Sequence, residues 1–198
     1  SETISQGEQV LFLVPEIALT TQIVNRLRLV FGDKMGVYHS KYSDNERVEV
    51  WRGIQSGRFS FVVGVRSAIF LPFEALSLIV VDEEHEPSYK QYDPAPRYNA
   101  RDLAVVLGNL HGAKIILGTA TPSLETYENA LSGKYGLVEI KERFGSAKLP
   151  EFILANLQIE RKRKTIKGDF SSVLIKELES VLAKEEQAIL FQNRRGYS

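Results

Sequence analysis

The sequence predicts an α/β domain with a mostly parallel sheet that helices cover on both faces. Two observations lead to this prediction. Short apolar runs alternate with segments whose apolar residues recur at helical spacing. The strand-like runs are also apolar throughout, as in strands that are buried on both faces of a sheet, and helices lie between them.

Each expected element corresponds to one segment, taken here in chain order. The apolar runs are expected to be strands, at 10–14, 36–39, 59–65, 76–81, 114–117 and 135–140. The segments between them place apolar residues three or four positions apart, which predicts helices at 17–30, 44–55, 99–110 and 122–132. Asp44 is the candidate cap of the second helix. Thr121 is the candidate cap of the fourth, with Pro122 at its first helical position.

The composition changes after residue 140. Residues 141–169 are charged and broken by Gly and Pro, so we expect a linker. Residues 171–184 place apolar side chains on one helical face, and 188–191 (AILF) are expected to form one more strand. We therefore expect a first domain at 1–140, a linker at 141–169 and the beginning of a second domain at 170–198.

Composition excludes some classes of protein. The 198 residues include no Cys, which excludes disulfides and thiolate metal sites within the chain. No apolar run approaches the roughly 18 residues of a membrane span, and the polar start is not a signal peptide, so a cytoplasmic protein is expected. Lys plus Arg and Asp plus Glu number 25 each, so net charge does not decide whether the partner is a polyanion.

Three carboxylates and an imidazole, Asp82-Glu83-Glu84-His85, follow directly on the apolar run 76–81. In parallel sheets, ligands bind beyond the carboxyl ends of the strands. An Asp there can hold Mg²⁺ through water, and the next Glu can take a proton from a water that attacks a phosphoryl group. The alternative is a solvated acidic turn.

Two further polar clusters also follow apolar runs. Gly118-Thr119-Ala120-Thr121 comes after 114–117, and its hydroxyls could bind a carboxylate or phosphate and relay movement between lobes. The alternative is a simple helix start, and both interpretations can hold together. In "VPEIALTTQ", Thr20 and Thr21 face either a nucleic-acid backbone or solvent.

Six blocks of sequence together resemble the primosomal replication-restart helicases, DEAH-type DNA helicases of superfamily 2. The blocks occur in the family's order between residues 8 and 198: LVPEIALTTQ, VGVRSAIFLP, IVVDEEHEPSYKQ, PRYNARDLAV, GTATPSLET and LFQNRRGYS. The resemblance implies a RecA-like P-loop NTPase lobe that uses ATP and Mg²⁺. It also implies forked or single-stranded DNA as partner, along with primosome and single-strand-binding proteins, and no membrane.

The same resemblance implies roles for individual residues. Asp82 would serve Mg²⁺, Glu83 would be the general base, and His85 would couple the nucleotide to Gly118, Thr119 and Thr121. Glu84 stands where the motif has Ala, which leaves these roles intact. The residues expected to contact nucleic acid are Thr20, Thr21, Arg66, Ser67, Tyr89, Lys90, Tyr92 and Arg97.

Tyrosines alternate with basic residues in the loop after His85, including Tyr98 and Arg101, which suits base stacking beside phosphates. Alternatively, these tyrosines pack on the domain, and Arg66 is a surface salt-bridge partner. Arg194 and Arg195 would open the second motor lobe, or form a solvated end. The basic run 161–164 is expected to be solvated rather than to contact phosphates.

No G-x-x-x-x-G-K-[ST] phosphate loop occurs in the sequence. By resemblance, that loop lies before residue 1 and the family's zinc-binding cysteines lie after residue 198. We therefore expect an internal piece that lacks its phosphate-loop strand and does not hydrolyse ATP alone. By the same resemblance, the missing strand would lie beside 114–117. We expect its place in the sheet to be taken by 135–140 or 188–191, with dimerisation. The alternatives are another superfamily 2 translocase on DNA or RNA, or a non-hydrolysing nucleic-acid-binding scaffold.

Overall fold

The computed structural model describes residues 4, 6–39, 42–142, 145 and 150–191. The chain forms two compact units, Ser1–Val138 and Glu139–Ser198. In the described residues, no helix is long and apolar enough to cross a membrane.

The first unit is built on a five-stranded sheet in which every strand pair is parallel. Its strands are β1 (Gln9–Leu13), β2 (Met35–Tyr38), β3 (Phe61–Gly64), β4 (Leu76–Asp82) and β5 (Lys114–Gly118). Their spatial order is β2-β3-β1-β4-β5. Its helices are α1 (Thr21–Phe31), α2 (Asp44–Gln55), α3 (Ala100–His111) and α4 (Leu124–Leu131).

Apolar side chains cover both faces of this sheet. Successive residues of β1 point to opposite faces, so Leu11 belongs to one buried cluster and Val10 to the other. Ile79 of β4 lies in the first cluster and Val63 of β3 in the second. The predicted α/β class, a parallel sheet with helices on both faces, is therefore confirmed.

Two helix caps and one helix start differ from the sequence prediction. Ser43, not Asp44, caps α2, because Ser43 and Glu46 form a capping box in which each side chain bonds the other's backbone N–H. Ser123, not Thr121, caps α4 by accepting the N–H of Thr126 at 3.3 Å. Helix α1 starts later than residue 17, since Thr20 has an extended backbone and caps it.

Two predicted strands are absent from the structure. Residues 135–140 are irregular, and Val138 and Ile140 are 87% and 90% exposed. Residues 188–191 are also irregular, with Ile189 95% exposed. An apolar run without a neighbouring strand has no ladder to join. Strand β5 is an edge strand of the five-stranded sheet, which among the described residues includes neither segment.

The second unit contains helices α5 (Leu157–Arg163) and α6 (Ser172–Ala183). Helix α5 lies inside the segment predicted as a linker, with Asn156 as its cap. Glu160 accepts the N–H of Ser172 at 2.6 Å, which ties α5 to the start of α6. The basic run 161–164 ends α5 and is exposed.

Candidate functional site

The carboxyl ends of β4 and β5 lie side by side, with Asp82 in register with Gly118. The turn that follows β4 is held there by backbone bonds. The N–H of Glu84 donates to Gly118 O at 3.1 Å, and the N–H of Glu86 donates to Glu83 O at 2.8 Å. The two polar clusters that the sequence placed after separate strands therefore meet at one edge of the sheet.

Asp82 and Glu83 are both half-buried at this edge. The N–H of Glu83 donates to Oδ1 of Asp82 at 3.1 Å, and Glu83 has a left-handed backbone with φ of 48°. The side chain of Glu83 remains 46% exposed. It lines a cleft of about 390 Å³, whose other lining residues are Pro15, Ile17, Ala18, His85, Glu86, Ala120 and Thr121.

His85 connects the turn after β4 with the segment after β5. Its Nδ1 lies 2.8 Å from Oγ1 of Thr119, and its Nε2 lies 3.4 Å from Oγ1 of Thr121. The N–H of Thr121 in turn donates to Oγ1 of Thr119 at 3.0 Å. Nδ1 of His85 also lies 3.5 Å from Oε2 of Glu83. The structure thus brings together the residues that were predicted to couple the two segments.

Glu84 is the residue whose importance the sequence analysis missed. Its side chain is fully buried, and its carboxylate accepts four hydrogen bonds. They come from Ser123 N at 2.7 Å, Ser123 Oγ at 3.1 Å, Thr126 Oγ1 at 2.9 Å and Arg101 Nη1 at 3.1 Å. Burial alone would raise the pKa of Glu84, but the hydrogen bonds from Ser123, Thr126 and Arg101 outweigh burial and lower its pKa.

Arg101 is held in the same cluster by contacts within the protein, and a phosphate contact by Arg101 stays a prediction. Its guanidinium donates to Glu84, to Ser123 Oγ at 2.7 Å and to Asp102 at 2.8 Å. Its side chain is only 13% exposed. The sequence feature that could have indicated this buried cluster was the acid at position 84, where the motif it resembles has alanine.

Tyr89 was predicted to stack on bases, and the structure shows that this prediction is wrong. The residue is 1% exposed and belongs to the core. Its hydroxyl lies within donating distance of two carbonyls, Asp82 O at 2.6 Å and Leu13 O at 3.1 Å. Burial raises the pKa of Tyr89, and the nearby carboxylates of Asp82 and Glu83 raise it further. Tyr89 therefore ties the ends of β1 and β4 together.

Arg66 supports the start of the loop after His85. Its Nη1 donates to Ser88 O at 3.3 Å and to Lys90 O at 3.0 Å, so its bonds described here go to carbonyls rather than to a carboxylate. Ser67 is half-buried beside it. A phosphate contact by Arg66 or Ser67 stays a prediction.

The loop itself is closed at its base by a bridge between Lys90 and Asn99. Gln91 organises the interior: its N–H donates to Tyr98 O, and its side chain donates to Pro94 O at 2.8 Å and Pro96 O at 3.2 Å. Tyr98 packs edge-on against Phe70, with 4.8 Å between ring centroids.

The tip of this loop faces solvent. Tyr92 is 67% exposed, and Arg97 is exposed as well. Lys90, at the base, is half-buried, while Thr20 caps α1 and Thr21 is exposed on its first turn. The predicted nucleic-acid residues that are exposed are therefore Thr20, Thr21, Tyr92 and Arg97. Arg194 and Arg195 lie outside the described residues.

The carboxylates after β4 were also considered as ligands of a metal ion. Among the residues that the structure describes, no group of three or more His, Cys, Asp or Glu side chains is arranged to hold a metal. Mg²⁺ is commonly bound by one or two carboxylates plus substrate phosphates. The half-buried carboxylate of Asp82 fits a site of that kind, in which substrate phosphates supply the other ligands.

A parallel sheet with an acidic turn at the carboxyl ends of its strands is typical of nucleotide-hydrolysing α/β domains. Comparison with known families agrees with that class of protein. Residues 2–130 match the DEAD/DEAH box helicase family. The chain belongs to this family.

Individual relatives are more specific. The chain is 45% identical to Replication restart protein PriA of Chlamydia pneumoniae over 197 residues, which is 100% of this chain and 26% of that protein. It is 44% identical over 197 residues to Replication restart protein PriA of Bacillus subtilis (strain 168), covering 100% of this chain and 24% of that protein. The chain thus spans about a quarter of these curated relatives.

One similar solved structure is the DUF1998 helicase MrfA bound to DNA and AMPPNP. Its TM-score is 0.46 and its sequence identity 17%, over 67% of this chain and 18% of that one.

Proposed function

We propose that the chain is the part of an ATP-dependent DNA helicase motor that carries the hydrolytic carboxylates and links them to the neighbouring segment. The observation that carries this proposal is the meeting of the turn 82–86 with the segment 118–121. Nδ1 of His85 lies 2.8 Å from Oγ1 of Thr119 there, and His85 and Glu83 line the same cleft.

Each side chain has a role in this proposal. Asp82 would hold Mg²⁺ together with phosphate oxygens of ATP; when bound, Mg²⁺ neutralises charge on the phosphates. Glu83 accepts the proton of the attacking water, for which its half-exposed carboxylate at the cleft is suitably placed. His85 carries changes at Glu83 to Thr119 and Thr121 through the contacts between them.

DNA would be the polymer on which the motor acts. Tyr92 offers an exposed ring for stacking and Arg97 a charge for phosphates, both at the tip of the loop after His85. Similarity to the replication restart proteins supports restart of stalled forks in the cytoplasm as the setting. By the same similarity, the partners would be forked or single-stranded DNA, the other primosome proteins and single-strand-binding protein, with zinc bound outside this sequence.

ATP hydrolysis would require a phosphate loop in addition to this sequence. No G-x-x-x-x-G-K-[ST] occurs among the 198 residues, and positioning of the phosphates provides much of the catalysis in this reaction class. We therefore propose that the chain alone does not turn over ATP.

Glu83→Gln in the complete gene product tests the proposal. DNA-stimulated ATP hydrolysis should fall by about 100-fold or more, because a general base contributes roughly 10²–10⁴-fold, while binding of a fluorescent ATP analogue is retained. Glu128→Gln, which removes an exposed carboxylate of α4, should leave turnover unchanged. Turnover that survives Glu83→Gln would show that Glu83 is not the base. A wild-type protein that binds DNA without any turnover would favour the scaffold function instead.

A further inference from the structure

Glu84 stands between the two side chains of the proposed chemistry and yet does not line the cleft. Glu83 and His85 both do. The carboxylate of Glu84 is instead fully buried and bonded to the start of α4 and to Arg101 of α3. A buried carboxylate with this many donors is well fixed, and removing it leaves those donors without their partner.

Both ends of the segment 118–123 are attached to this one residue. The N–H of Glu84 donates to Gly118 O at 3.1 Å, and its Oε1 accepts the N–H of Ser123 at 2.7 Å. Thr119 and Thr121 lie between these two attachments. Their contacts with His85, at 2.8 Å and 3.4 Å, therefore depend on a segment that Glu84 holds at each end.

The backbone of Glu83 gives a second reason for an anchor at position 84. Its φ of 48° is uncommon for a residue with a side chain. Such a conformation persists only where its surroundings hold it. The next residue along the chain, Glu84, is fixed by both its backbone and its side chain, so it maintains the direction in which Glu83 leaves the strand.

We infer that Glu84 is a positioning residue for ATP hydrolysis, which keeps Thr119 and Thr121 on His85 and Glu83 at the cleft. The inference rests on the proposed function, because it concerns the efficiency of the same reaction. The sequence resemblance alone gave position 84 no role in the reaction.

Glu84→Gln in the complete gene product is the direct test, since glutamine keeps the size and loses the charge. The kcat of DNA-stimulated ATP hydrolysis should fall about tenfold or more, because small misplacements of reacting groups can cost up to about 100-fold. The KM for ATP should change less than about threefold, since ground-state binding is not touched. Glu125→Gln, an exposed carboxylate in the first turn of α4, is the matched control and should leave kcat unchanged. An unchanged kcat in folded Glu84→Gln would overturn the inference.

A double-substitution cycle separates positioning from general support of the fold. If Glu84 acts through Thr119, then Glu84→Gln should lower kcat much less in a Thr119→Val background than in the wild type, because coupled residues are not additive. Fold-changes in kcat that simply multiply would overturn the inference.

If Glu84→Gln does not fold, Thr126→Val provides a second test of the role of Glu84. It removes one donor to Oε2 of Glu84 and leaves the carboxylate, so kcat should fall severalfold; an unchanged kcat would count against the inference. Glu83→Gln distinguishes the two proposals. Loss of turnover in Glu83→Gln with normal turnover in Glu84→Gln would overturn the role of Glu84 and leave the proposed function standing. Normal turnover in Glu83→Gln would overturn both the proposed function and the role of Glu84.

Discussion

Removing the buried hydroxyl of Tyr89 should destabilise the first unit by an amount that the structure allows us to estimate. Tyr89→Phe retains the ring in the core and deletes the donor to Asp82 O and Leu13 O. Leaving a buried acceptor unsatisfied costs about 1–3 kcal/mol. One hydroxyl proton serves both carbonyls, so we expect a loss of about 2 kcal/mol within that range. Urea unfolding of the chain at neutral pH, followed by circular dichroism, measures this loss.

Tyr92→Phe is the matched control for this experiment. Tyr92 is 67% exposed, and exposed substitutions usually change stability by less than about 0.5 kcal/mol. Equal losses in the two variants, or a loss below about 0.5 kcal/mol in Tyr89→Phe, would refute the assignment of Tyr89 as a tie between strands. Because burial raises the pKa of Tyr89 above 10.0, its contribution is present below pH 10 and is lost as the pH rises further. The stability gap between wild type and Tyr89→Phe should accordingly narrow above pH 10.

Four further outcomes are expected. Glu84→Gln should lower the free energy of unfolding at pH 7. Because the folded protein lowers the pKa of Glu84, the ionised carboxylate stabilises the fold above about pH 4.5, and this deficit should shrink as the pH falls below that value. A deficit in urea unfolding that does not change with pH would contradict this. Tyr92→Ala should weaken single-stranded DNA binding by about 1–3 kcal/mol in fluorescence titrations, and Arg97→Ala should reduce the salt slope by about one unit; wild-type titration curves would exclude the loop tip from the DNA surface. Light scattering should show dimers through the open edge of β5, and a strict monomer at high concentration would count against that association.

The fold was predictable because its signals are local. Five apolar runs became β1 to β5, and the helix at 44–55 was placed correctly, although its cap is one residue earlier than expected. The run 135–140 was predicted as a strand from the same kind of apolar pattern and yet is irregular. Strand formation depends on a neighbour with which to pair, and composition does not contain that information.

The site was only partly predictable, for a similar reason. The tips of parallel strands were expected to gather ligand-binding groups, and Asp82, Glu83 and Thr119 do lie together there. The bonds of Glu84 with Ser123 span 39 residues, and the bond of Tyr89 with Leu13 spans 76. No local pattern distinguishes a tyrosine that stacks on bases from one that fills the core. The alternative that tyrosines of this loop pack on the domain was correct for Tyr89 and does not describe the exposed Tyr92.

The bond from Tyr89 ends on main-chain carbonyls, so this link does not use the side chain at the tip of β4. Because the acceptors belong to the backbone, their presence does not depend on which side chain occupies position 82. Substitutions at Asp82 other than proline would therefore keep both acceptors of the Tyr89 hydroxyl. What every member of such a set loses is the bond from the N–H of Glu83 to Oδ1 of Asp82, so their common loss of stability would measure that bond separately from the link through Tyr89.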